Sequence, residues 1–177
     1  MFSTDYRFTG KHATYVKFLN AFTRNLDKTA EVAGIFAFAI DVYMIAPLIG
    51  AAYNRRSPVD TSSNDSLNIL SSQFISRQDK LESVYRLIMI SENSSDLSAD
   101  ERIDRAFKDD EVPEKAIANM ELFHQYIRGG IEWLYEFFTN SASSQTQNDY
   151  LEKINEFVKQ FADDFELTES IDLEKLM

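Results

Sequence analysis

Apolar residues return three and four positions apart along most of this chain. Tyr15, Val16, Leu19, Phe22 and Leu26 form one such stripe, and Leu81, Val84, Tyr85 and Ile88 a second. A third runs through Ile117, Met120, Phe123, Ile127, Ile131, Leu134 and Phe138, and a fourth through Leu151, Ile154, Phe157, Val158 and Phe161. This spacing lines one face of an α-helix, with polar residues opposite. It predicts helices from about residue 11, over 67–91, over 113–138 and around 151–161. Ser98 and Glu101 make an S-x-x-E capping box, so a short helix should begin after Ser98 and cover Ile103 to Phe107. Pro113 suits the first turn of the helix it opens. Polar runs at 54–66, 91–102 and 140–147 separate these segments as loops, and FSTDYRF at the start reads as extended.

The stretch VAGIFAFAIDVYMIAPLIGAAY, Val32 to Tyr53, breaks the amphipathic pattern, being apolar all round with one charge, Asp41. As a helix its length of about 33 Å would span a bilayer. Insertion would place Asp41 at mid-depth, at a cost of about 2.5–3.5 kcal/mol, and Tyr43 beside it, far from either interface. Basic residues flank the stretch on both sides without a bias. The other helices carry apolar stripes that need covering, and a helix apolar all round is what the middle of a bundle requires. The expected architecture is therefore an all-α, single-domain bundle of about six helices, residues 1–177, around a central apolar helix at about 30–53. Pro47 should kink or end that helix, and an acidic tail at about 166–177 should fray.

Composition narrows the classes further. A chain of 177 residues with 44% hydrophobic content can bury a core of its own. It has no Cys, which removes disulfides, thiolate nucleophiles and Cys-based zinc sites. A net charge of −11 argues against direct nucleic-acid binding, which needs clustered Lys and Arg. The first residues lack a secretory layout, so a cytoplasmic protein without membrane attachment is expected.

Sites of chemistry are sparse. Glu121 and His124 spell E-x-x-H, as in helical di-iron proteins, but no second such motif completes the set. Thr9 to His12 reads T-G-K-H, yet a phosphate loop would need glycine where Asp5 stands. No catalytic, cofactor or metal residues are assigned. Asp41 needs a partner if buried, and Arg55, Arg56, Arg86 and Arg128 are the candidates. Arg55 and Arg56, at the end of the apolar segment, together with Asp41, Arg128, Gly129 and Gly130, make up a candidate anion or partner site. The two glycines cost about 1 kcal/mol each inside a helix relative to Ala, so they signal either close packing against Gly50 or a kink that opens a pocket.

The remaining functional content is acidic and aromatic. Nine acidic residues and two lysines lie between Asp149 and Glu174, and Asp96, Asp100, Glu101, Asp104, Asp109, Asp110, Glu111 and Glu114 make a second rich region. Trp133, Tyr135 and Phe137 fall on more than one face of their helix, which marks them as a candidate interface and a homo-oligomer through it as its simplest use. The reading is a non-enzymatic helical interaction or assembly protein, a subunit or regulator of a larger complex whose protein partner carries a basic surface. One alternative is an acidic inhibitor that imitates nucleic acid to block a DNA-binding or defence-related enzyme. The other is a helical enzyme using Asp41 or Glu121 with arginines.

Overall fold

The computed structural model describes residues 2–20, 35–92, 96–140 and 147–165. After a short strand β1 (Tyr6–Thr9), the chain forms α1 (Gly10–Leu19), α2 (Ala39–Ala52) and a second strand β2 (Ser66–Ile69). Then follow α3 (Ser71–Ile75), α4 (Gln78–Ser91), α5 (Ala99–Phe107), a 3-10 turn (Asp109–Glu111), α6 (Pro113–Thr139) and α7 (Gln147–Asp164). Among the described residues the protein is all-α apart from one two-stranded antiparallel ribbon, in which Tyr6 faces Ile69 and Phe8 faces Leu67.

The apolar segment is central, as the pattern implied. α2 and α6 form the most extensive pairing among the described elements, and Ile40, Val42, Tyr43, Ala46 and Ile49 of α2 are buried between its neighbours. The helix is shorter than expected, however. It starts at Ala39, and Phe38 is extended with φ −137° and ψ 153°. Asp41 explains the start: from the first turn its Oδ2 accepts the Phe38 N–H at 3.0 Å, a donor that no helical carbonyl satisfies. The part of the expected helix before residue 35, the stripe residues Phe22 and Leu26 and the acidic tail lie outside the described residues. α2 continues through Pro47 to Ala52. Among the described residues no helix is long and apolar enough to cross a membrane.

The expected single helix over 67–91 is corrected to a strand and two helices. Leu67 and Ile69 alternate with polar Ser66 and Asn68, and this period of two pairs with β1. Leu70 is extended, and Arg77, outside helical geometry, separates α3 from α4. The capping box stands: Ser98 Oγ accepts from the Glu101 N–H, and Glu101 Oε2 accepts from the Ser98 N–H at 2.8 Å. Pro113 opens α6.

The glycines of α6 belong to the close-packing case. A Cβ on Gly130 would stand 1.8 Å from the Ala46 carbonyl oxygen, one on Gly129 2.1 Å from that of Arg55, and one on Gly50 2.2 Å from that of Tyr126. Only bare backbone lets α2 and the turn after it lie this near α6. α7 closes the opposite side, where Trp133 stacks between Tyr53 (4.5 Å) and Phe137 (5.1 Å) and meets Phe157 edge-on at 5.7 Å.

Candidate functional site

One face of α6 carries Glu121, His124, Arg128 and Glu132, spaced three, four and four residues apart so that they line up along the helix. The turn after α2 lies on this face because Gly129 admits it. There Ser57 N–H donates to the Gln125 carbonyl at 3.0 Å, and Arg128 Nε donates to the Ser57 carbonyl at 2.8 Å. Arg128 is buried, and its Nη2 donates to Glu121 Oε1 at 2.5 Å. A desolvated guanidinium needs such partners.

At the inner end of this row Glu132 is a hub. Its Oε1 accepts from Ser57 Oγ at 2.5 Å, from His12 Nε2 at 2.8 Å and from Lys11 Nζ at 3.0 Å. Burial works against its charge, but these three donors more than offset it and hold the carboxyl below its usual range. Burial also pushes His12 down, against the pull of Glu132, so the imidazole is neutral at pH 7 and donates from Nε2. The residue types are those of a hydrolase triad, but the order is different. A triad places histidine between serine and carboxylate, whereas here the carboxylate stands between a buried serine and a buried histidine. The arrangement ties α1, the turn after α2 and α6 together, and the group that touches Ser57 is a carboxylate held low by its donors rather than an imidazole.

The outer end of the row opens into a cleft of about 540 Å³ between α4, the 3-10 turn and α6. Glu82 and Arg86 line it from α4 and Asp110 from the turn, while Ile117, Met120, Glu121 and His124 line it from α6. That volume lies within the range of ligand-binding clefts. Burial lowers His124 to about 4, with Arg128 adding to the effect, so the ring is neutral at pH 7; its Nε2 lies 3.0 Å from the Tyr43 hydroxyl. Burial raises the Asp110 carboxyl, in part offset by the charge of Arg86. The E-x-x-H pair therefore does share a cleft, with Glu121 engaged by Arg128. Among the described residues no group of three or more His, Asp or Glu is placed to hold a metal ion.

Most of the candidate anion or partner site does converge. Arg55, Arg56, Arg128, Gly129 and Gly130 meet where the turn after α2 crosses α6. Their charges are engaged within the chain: Arg55 pairs bidentately with Glu136 at 2.5 and 2.9 Å, and the Arg56 guanidinium lies 5.8 Å from the Tyr126 ring centre. Asp41 stands apart. Its ion-pair partner is Arg77 at 3.0 Å rather than Arg55, Arg56, Arg86 or Arg128, and the single-helix reading of 67–91 hid that residue. Trp133 and Phe137 lie half-buried against Tyr53 and α7, and Tyr135 stacks on Tyr15 at 3.8 Å.

Sequence reasoning missed a group of exposed apolar residues around the cleft. Ile103 and Phe107 of α5 and Ile117 of α6 all face outward. Their signal was present: Ile103 and Phe107 are four apart on a short helix, and Ile117 belongs to a stripe that its neighbours leave uncovered at that end.

The fold and these sites define a helical protein whose buried charged groups bind one another, with an open cleft beside an acidic, partly apolar face. A family model described as DNA sulphur modification system-associated protein 4 matches residues 19–176. The chain belongs to that family. No curated protein and no solved structure matches it.

Proposed function

We propose that this chain is a non-enzymatic accessory subunit of a DNA sulphur modification system, acting in the cytoplasm by binding a protein partner of that system. Family membership carries the reading, and the chemistry of the interior supports it. Glu132 holds Ser57, His12 and Lys11, Arg128 holds Glu121, and Arg77 holds Asp41, so the groups an enzyme would use are engaged in holding helices together. The test is co-expression of the tagged chain with the proteins of the sulphur modification system of the same host, followed by size-exclusion chromatography. A stoichiometric complex with one of them is expected. Failure to associate with any would overturn the reading.

The exposed acids Asp96, Asp100, Glu101, Asp110, Glu111 and Glu114 favour one second reading, an acidic inhibitor that occupies the DNA site of an enzyme. It differs in a measurable way. An inhibitor of that kind competes with DNA for its target, whereas an accessory subunit stays in the complex when DNA binds.

A further inference from the structure

The outward side of α5 and the first turns of α6 bring three features together: large exposed apolar side chains, an adjoining cleft and an acidic rim. Ile103 is 47% exposed, Phe107 52% and Ile117 72%. Phe107 and Ile117 are continuous with the cleft, because the Arg86 guanidinium lies 4.7 Å from the Phe107 ring centre and, like Ile117, lines the cavity. Around them stand Asp100, Asp104, Asp110, Glu111 and Glu114. The neighbouring cations, Arg86 and Arg102 among them, offset this charge only in part. Arg105 is buried against Glu92, and Lys108 is held by Asp104 and Lys115 by Asp109.

We propose that this face docks an amphipathic helix of a partner protein, one that sets an apolar anchor into the cleft beside Phe107 and Ile117 and brings Lys or Arg to the acidic rim. Charge selects this occupant. A second copy of the chain would bring the same acidic rim to the contact, and nucleic acid would meet carboxylates with its phosphates, whereas a basic, apolar helix complements both parts of the surface. α5 is well suited to present it: Arg105 anchors the helix from its inner side, donating to Glu92 Oε2 at 2.9 Å and to the Met89 carbonyl at 2.6 Å. The inference deepens the accessory-subunit reading and rests on it for the source of the partner, but the surface is testable without that partner.

The experiment titrates isotope-labelled full-length chain with a short amphipathic helical peptide of leucine and lysine, and separately with its leucine–glutamate counterpart, followed by NMR. The basic peptide should bind, shift the amides of α5, the 3-10 turn and the start of α6, and weaken with added salt. Ile117→Lys and Phe107→Asp, both at exposed positions, should each weaken it about tenfold or more while leaving the rest of the spectrum unchanged. No binding, equal binding of the acidic peptide, or shifts on another face would overturn the proposal. So would self-association in sedimentation that Phe107→Asp abolishes, since the occupant would then be a second copy. Failure here with an intact complex in co-expression moves the interface elsewhere and leaves the subunit reading in place. Specific peptide binding without any co-expressed complex has the reverse meaning.

Discussion

Gly130 of α6 rests against the carbonyl of Ala46 in α2 so closely that a Cβ built on it would stand 1.8 Å from that oxygen. The obstructing atom is backbone in a buried helix, not the tip of a mobile side chain. Gly130→Ala gains about 1 kcal/mol of helix propensity and must push α2 and α6 apart to do so. The expected outcome is a net loss of about 1–3 kcal/mol, or no folded protein, read by chemical denaturation. Gly50→Ala, facing the Tyr126 carbonyl from the other helix, should behave alike. A variant as stable as the parent would mean that the two helices are not packed this way.

Arg105 and Glu92 make the most deeply buried ion pair among those described, with side chains 7% and 1% exposed. Arg105 also donates from Nε and Nη2 to the Met89 carbonyl, so it ties α5 to the last turn of α4. Arg105→Met leaves the Glu92 carboxylate buried without its cation. A loss of about 3–5 kcal/mol is expected by denaturant titration, together with faster hydrogen exchange in α5. Removal of this residue should therefore weaken the proposed docking face as well.

Asp41 presents a milder case. It caps α2 through the Phe38 N–H and pairs with Arg77, and both side chains are about a third exposed. Asp41→Asn keeps an oxygen for the cap and loses the ion pair, so a cost of about 1 kcal/mol is expected, with partner binding unchanged. Loss of binding at unchanged stability would give Asp41 a functional role instead.

The sequence pattern carried the helical class, the central place of the apolar segment and the capping box at Ser98, because each depends on residues close together in the chain, whereas it leaves the glycine pair open between close packing and a kink. The ribbon was half legible: FSTDYRF reads as extended, but SLNI is short and sits between a polar loop and a helical stripe, so its period of two was absorbed into the helix. The Glu132 hub had no local signal at all. His12 lies 120 positions and Ser57 75 positions away from it, and no spacing rule connects such residues before the fold is known. The aromatic run at Trp133 reads as a candidate interface, whereas the residues that pack on it, Phe157 on α7 and Tyr53 after α2, depend on how distant helices meet.

Acid should loosen this protein through its histidines before most of its carboxylates respond. His124 in the unfolded chain titrates near 6.5, and in the folded chain near 4, because burial and Arg128 disfavour its charge. Between those values the unfolded chain holds a proton that the folded chain refuses, so protons favour unfolding there. Stability contributed by His124 is complete above 6.5 and falls as the pH drops toward 4, by about 3 kcal/mol over the window. His12, also lowered by burial, acts in the same direction, while Asp110, whose carboxyl is raised, acts against it. The carboxyl of Glu132, held low by its donors, adds its loss at more acid pH. His124→Gln removes one titrating group and leaves the others in place. Denaturant titrations of both proteins at intervals from pH 7 to 4 should show the parent losing stability more steeply, with the curves converging toward acid. Parallel curves would mean that His124 takes up its proton as readily in the folded chain as in the unfolded one, and that the ring beside Tyr43 is open to water.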